Sequence, residues 1–243
     1  KFIAEDLDDY IAEGGAKVRC INGDYGDGKT HFMSIIRHLA LQKEFAVSFV
    51  VLTREVPMHK FEVVYQEIVR QLTGTFEGTG IRPLIDTWVE NQRETLTNED
   101  SSPLQEKIQA EGEALRALPG MDLNFANALT GLLYLRYGTQ EDSEGEEQET
   151  GQAVLYQWFE GARVSKRDLK PFQVFEPLSK ANSKRFLGAL ITFLRHIGYK
   201  GLVLLLDELE TVIAQGTTIR NTAYENVRLL IDNTEQARFL HIF

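Results

Sequence analysis

Cysteine is almost absent from this chain: Cys20 stands alone among 243 residues. A single thiol excludes an internal disulfide, and in the strand before the glycine loop Cys20 reads as a small buried hydrophobe. Long hydrophobic runs are missing as well. Nothing approaches the roughly 20 apolar residues that cross a bilayer, and no charged-then-apolar leader opens the chain, so the expectation is a soluble cytoplasmic domain with no membrane partner. Positive charge is in deficit. Lysine and arginine number 26 against 36 acids, and the formal net charge of −10 argues against strong non-specific nucleic-acid binding by this stretch. The five histidines show no metal-ligand spacing. Trp88 and Trp158 lie in no base-stacking pattern and read as packing residues. The guanine-reading Asn-Lys-x-Asp pattern is absent, which tilts any nucleotide preference towards adenine.

What is present is one complete phosphate-binding signature. Gly23-Asp24-Tyr25-Gly26-Asp27-Gly28-Lys29-Thr30 satisfies G-x-x-x-x-G-K-[ST] at every required position. A short alternating strand, Ala16 to Ile21, precedes it. Phe32, Ile35, Ile36 and Leu39 follow at helical spacing as far as about Gln42. Strand, glycine loop and helix aim backbone N–H groups and a helix N-terminus at a polyphosphate. Glycines permit positive φ and close approach to phosphate oxygens, Lys29 supplies an ammonium to the β and γ phosphates, and Thr30 offers a hydroxyl to Mg²⁺. Asp24 and Asp27 are expected to point to solvent, away from the bound anion. His31 is read as a helix-start residue at the edge of the nucleotide site and not as a catalyst.

A second feature completes the chemistry. Gly201 to Leu206 is an unbroken apolar run ending in Asp207 and Glu208, the pattern of a strand buried on both faces of a parallel sheet. Acids at the C-terminal end of such a strand fall in the crevice where open α/β sheets bind ligands. Asp207 is then placed to serve the Mg²⁺ shell and Glu208 to polarise an attacking water. Glu210 reads as a favourable charge on the first turn of a helix.

Lys29 and Asp207 are about 180 residues apart, too many for one or two crossover units. A second strand over Ala46–Leu52 is taken as the extra strand between the loop strand and the acid-bearing strand. A helix from about His59 to Leu72 comes next. The core resumes near Ser179 with a helix carrying Phe186, Leu187, Leu190, Leu194 and Ile197, closed by Gly198, and after Asp207 a helix over about Thr218–Thr234 leads to a last apolar stretch, Phe239–Phe243. The domain expectation is therefore a core made of residues 1–80 and 176–243, interrupted by a mainly helical insertion over 81–175. Helices are expected over Pro83–Glu94, Leu104–Leu118 and Asn124–Tyr137, and a solvated, mobile acidic loop over Thr139–Gly151. Arg163, Lys166, Arg167, Lys170, Lys180, Lys184 and Arg185 form a basic segment that could meet a nucleic-acid backbone, the acidic loop or a protein partner. A helix at Lys1 and a strand at Phe243 read as cuts through a longer polypeptide, with any γ-phosphate sensor and trans-acting arginine lying beyond Phe243.

Three stretches together resemble a known family. The run from Asn22 to Phe32, the run Met58-His-Lys-Phe-Glu-Val-Val-Tyr-Gln-Glu-Ile-Val-Arg70 and the run from Phe193 to Glu210 are similar to the BREX-system ATP-binding proteins of the BrxD type, phage-defence components with a P-loop ATPase domain. Gly161 to Leu169 also fits that pattern. The resemblance implies an AAA+-like or origin-recognition-like fold, ATP with Mg²⁺, and action with other subunits of a defence complex on DNA, with a homo-oligomer as a further expectation. It carries Lys29 and Thr30 over as phosphate and magnesium contacts, Asp207 as the metal acid and Glu208 as the hydrolytic base. The expected fold is an α/β P-loop NTPase of the AAA+/ASCE-like kind, a three-layer sandwich on a parallel sheet, with the helical insertion between the second strand and the Walker B strand. The expected reaction is ATP hydrolysis, slow in isolation. A nucleotide-dependent assembly switch and a helicase-loader-like scaffold use the same parts; a small-molecule kinase suits the paired acids less well.

Overall fold

The computed structural model describes residues 2–24, 26–97, 103–138, 145–213, 216–232 and 238–243. In chain order the elements are α1 (Phe2–Glu5, prolonged by a wider helical stretch Asp6–Ile11), β1 (Ala16–Val18), α2 (Lys29–Gln42), β2 (Ala46–Val51), α3 (Phe61–Arg70), β3 (Leu72–Thr73), α4 (Ile81–Thr97), α5 (Leu104–Ala117), α6 (Leu123–Leu133), α7 (Gly145–Phe159), α8 (Lys166–Leu169), α9 (Ser183–His196), β4 (Leu202–Asp207), α10 (Glu210–Ile213), α11 (Thr217–Asp232) and β5 (Leu240–Ile242). The strands form one sheet in the order β1-β5-β4-β2-β3, parallel except for the β2–β3 pair.

Two of these findings correct the sequence reading. The strand that separates the loop strand from the acid-bearing strand is β5, not the Ala46–Val51 strand, and β4 lies directly against β2 with Val51 opposite Asp207. Crossover connections leave this order undetermined by chain order alone, because a strand can enter the sheet between two earlier ones. The second correction concerns the acid-rich segment. From Gly145 onward the expected loop is helix α7, whose first turn holds Glu146 and Glu147. Acids there complement the helix dipole, while Leu155, Trp158 and Phe159 bury the other end. Residues 139–144 of that segment lie outside the described residues.

Side chains alternate across the central strands. Val47, Val203 and Leu205 face α1 and α2, packing with Leu7, Ile11, Met33, Ile36 and Ala40. Ala46, Val50, Leu202, Leu204 and Leu206 face the other way, into a larger core shared by α3, α9 and the helices of 81–175. An aromatic hub ties that core together. Trp158 and Phe159 of α7 meet Phe125 of α6 and Phe186 of α9, with centroid separations of 5.0–5.1 Å for Phe125–Phe159 and Trp158–Phe186, and Trp88 of α4 stands edge-on to Phe193 of α9 at 5.3 Å. Trp88 and Trp158 are thus packing residues, with the Trp158 indole N–H donating to the Glu176 carbonyl. Large aromatic faces of this kind bury most of the apolar area that a helical layer needs.

Candidate nucleotide site

β1 ends at Val18, three residues earlier than the apolar pattern suggests, and the chain leaves the sheet to form the glycine loop. Cys20 lies on that exit and is exposed, not buried. The loop closes onto α2 through Gly26 (φ 94°) and Gly28 (φ 84°), both in the left-handed region that a side chain would strain. Phe32 N–H already donates to the Gly28 carbonyl, so the helix begins at the lysine and its first amides remain pointed at the loop.

Lys29 Nζ donates to the Gly23 carbonyl at 2.8 Å and to that of Asp24 at 3.3 Å, which folds the ammonium back over the loop. Asp24 and Asp27 are exposed, as expected, yet the Asp27 carboxylate does not run out to solvent. It accepts from the Asp24 amide at 2.7 Å, while Asp27 N–H donates back to the Asp24 carbonyl. A short acidic side chain beside backbone donors makes this local bond in preference to full hydration. A Cβ on Gly23 would meet Asp27 Oδ2 at 3.1 Å, so that glycine leaves room for the brace. Tyr25 lies outside the described residues. His31 is exposed on the first turn of α2.

Across the loop stands the end of β4. Thr30 Oγ1 donates to Asp207 Oδ2 at 2.9 Å, joining residues 177 apart in sequence. The other oxygen of that carboxylate accepts from the Glu208 amide at 2.9 Å. Glu208 is exposed and held at φ 62°, a left-handed conformation uncommon for a residue with a side chain. Glu210, assigned only a helix-start role from sequence, places its carboxylate 3.6 Å from Lys29 Nζ. Its closeness in sequence to Asp207 was the available signal: the strand ends at Asp207 and helix α10 begins at Glu210, so the short turn between them keeps both acids at the same edge of the sheet. A cavity of about 440 Å³ adjoins these groups, with Arg19, Lys29, Asp207, Glu208, Glu210 and Phe243 in its wall, while Thr30 stands outside that lining. A larger cleft of about 590 Å³ between α3 and α4 gathers no such constellation.

The donor set suits a hard cation. Thr30 and Asp207 offer oxygen alone, and the described residues contain no group of three or more His, Cys, Asp or Glu side chains arranged to hold a metal without help. Mg²⁺ is bound in this way at phosphate sites, by one or two protein oxygens with phosphate and water completing the octahedron.

Elsewhere, the basic segment is partly spent on the fold. Arg185 pairs with Glu176 and, at 2.6 Å, with Asp122, and Lys184 is half-buried over the Phe61 ring. Arg163, Lys166, Arg167, Lys170 and Lys180 are exposed. No helix among the described residues is long and apolar enough to cross a membrane. Compared with family models, residues 1–243 match the family described as BREX system ATP-binding protein BrxC/D. No curated protein and no solved structure matches the chain. The match spans the whole chain, and the chain belongs to that family.

Proposed function

We propose that this member of the BREX ATP-binding family is a Mg²⁺-dependent ATPase built on an AAA+-like core, hydrolysing ATP to ADP and phosphate. The carrying observation is the 2.9 Å bond between Thr30 and Asp207, which brings the loop hydroxyl and the strand carboxylate to one point at the C-terminal edge of the sheet. The strand order, with β5 between β1 and β4, supports the AAA+/ASCE-like layout. In this reading the amides from Gly26 to Thr30 cradle the β-phosphate and the Lys29 ammonium leaves the carbonyls of Gly23 and Asp24 for the β and γ oxygens. Thr30 and Asp207 hold Mg²⁺, which when bound neutralises charge on the phosphates. Glu208 orients a water in line with the γ-phosphate and accepts its proton, and its exposed side chain at the mouth of the cavity suits that task. Residues 1–80 and 176–243 then act as the ATPase core and 81–175 as an inserted helical unit. Other subunits of a defence complex are the partners the family implies, and the five exposed cations between Arg163 and Lys180 are a candidate contact for DNA.

Phosphate release and nucleotide titration test the reading together. Lys29→Ala is expected to abolish ATP binding, and Glu208→Gln to preserve binding while stopping release. Tight ATP binding by the Lys29 variant would overturn the site assignment, and normal turnover by the Glu208 variant would remove that residue from its role.

A further inference from the structure

A second cavity, of about 490 Å³, lies at the end of the sheet opposite the candidate nucleotide site. Its walls come from one stripe of α4, from the end of α9 with the turn into β4, and from the chain just after β3. The α4 stripe is Leu84, Thr87, Trp88, Asn91 and Gln92, the spacing that brings side chains to one face of a helix. Tyr199 precedes the start of β4 and Thr75 follows β3, whereas Asp207 and Glu208 stand at the far end of β4. A volume of this size is ordinary for a small-molecule site.

No Lys, Arg, Asp or Glu lines the cavity among the described residues, and His196 in its wall faces Glu111 of α5 at 3.4 Å. A charged ligand would lose hydration there without gaining a counter-charge, so an uncharged one is selected. Phe76, Trp88 and Tyr199 are buried, their rings taken up by packing, and a sugar finds no open aromatic face to lie on. The hydroxyls are committed too. Tyr199 accepts from the Thr75 amide and shares a bond with the Thr75 hydroxyl, both at 3.0 Å, and Thr87 donates to the Pro83 carbonyl at 2.8 Å. Three groups remain. Trp88 is 4% exposed, and its indole N–H is buried with no acceptor. The side-chain amides of Asn91 and Gln92, three and four residues on, make no hydrogen bond among the described residues. A buried donor without a partner is rare in a folded protein and costly to keep.

We propose that this cavity binds an uncharged carboxamide or lactam, whose carbonyl accepts from the Trp88 indole N–H while its amide edge pairs with Asn91 and Gln92. The donor inventory selects that chemistry. An indole N–H only donates, whereas a primary amide both donates and accepts, so one amide group on the ligand answers all three. An anion, a cation or a hydrocarbon does not. The ligand supplies the bond that the free protein lacks, which removes the penalty of the orphaned N–H and adds to affinity. Asn91 is exposed and Gln92 partly so, which places the two amides nearer to solvent than Trp88. The site does not depend on the ATPase reading.

Heteronuclear NMR of the isotope-labelled protein tests the proposal, since Trp88 and Trp158 carry the only two indole N–H groups of the sequence. Trp88→Phe identifies its signal by loss. Nicotinamide is expected to shift that signal saturably, with a Kd of about 1 mM or below. The Trp158 signal, whose N–H is bonded to the Glu176 carbonyl, should stay in place. Nicotinate, the same ring with a carboxylate, is expected to bind about tenfold more weakly or worse. Thymidine and N-acetylglutamine amide separate a nucleobase from a peptide-like source of the amide, the tighter binder naming it. Asn91→Ala/Gln92→Ala is expected to weaken nicotinamide binding about tenfold or more, with circular dichroism verifying the fold. Lys29→Ala should bind nicotinamide as the wild type does, which separates this outcome from that of the nucleotide site. A Trp88 signal that none of the three amides moves, nicotinate binding as tight as that of nicotinamide, or a folded double variant that binds unchanged would each overturn the proposal.

Discussion

Thr30 and Asp207 illustrate how much depends on single oxygen atoms in the candidate site. The hydroxyl and the carboxylate already touch, so a cation entering there exchanges one hydrogen bond for two ligands instead of organising the site from disorder. Thr30→Ala is expected to leave the loop folded but to erase the difference between nucleotide affinity measured with Mg²⁺ and with a chelator; an unchanged Mg²⁺ dependence would remove the hydroxyl from the metal shell. His241 is the second residue of interest. It sits on β5 between Lys17 and Val203, fully buried, with neither ring nitrogen bonded. Burial lowers its pKa from 6.5 to about 4, the Asp6 carboxylate opposing this while Arg19 and Lys17 add to it. The unfolded chain therefore binds a proton that the folded chain refuses, and stability falls as pH drops from about 6.5 towards 4. The expected loss between pH 7 and 5 is on the order of 2 kcal/mol. Denaturant melts at pH 7 and 5 measure it, and His241→Leu should flatten the slope. Asp6 acts in a lower window: Arg19, with Lys17, holds its carboxyl at about 2, so its contribution is full above 3.8 and is lost only as pH falls towards 2.

Among elements, the sequence was most legible where one periodicity dominated. α2 runs from Lys29 to Gln42 as its apolar spacing indicates, and α5 and α11 agree with their expected spans to within a residue or two. β4 is buried along Leu202–Leu206, as its unbroken apolar run requires. Legibility failed where a local pattern competed with distant packing. Cys20 lies in a strand-like alternation, but its surroundings are decided by where the chain must leave the sheet. The acids of α7 read as solvated coil because nothing local shows that Trp158 and Phe159, a few turns on, anchor the helix in the aromatic hub. Two-residue β3, pairing antiparallel to Val47 and Ser48, is too short to show any period. Trp158→Ala should cost roughly 3–5 kcal/mol by loss of burial and cavity formation. Because the hub joins α6, α7 and α9, one cooperative transition with a lower melting temperature is expected; an unshifted melt would mean that α7 is not anchored there.

At the scale of the whole molecule, one core unites the sheet face with the helices of 81–175, so that segment is expected to report on the same folding transition as the candidate nucleotide site. Ligand binding should then stabilise everything at once. Mg·ATP at about 100 times its Kd adds about 2.7 kcal/mol, which for a chain of this size raises the melting temperature by roughly 5–10 °C. Differential scanning fluorimetry should show that rise for the wild type and none for Lys29→Ala. A rise of equal size in the variant would place the stabilising site elsewhere in the fold.

The amino-acid order alone specified the loop, the strand before it, the helix after it and the buried strand ending in two acids. All of these depend on neighbours within a few residues: glycines that allow positive φ, a period of 3.6 or of two, an apolar run bounded by charge. Only tertiary structure decided that β5 lies between β1 and β4, that Asp27 braces the loop and that Glu210 faces Lys29. Strand order and cross-chain contacts are set by which faces bury most apolar surface together, a property of the assembled layers that no short window of sequence contains.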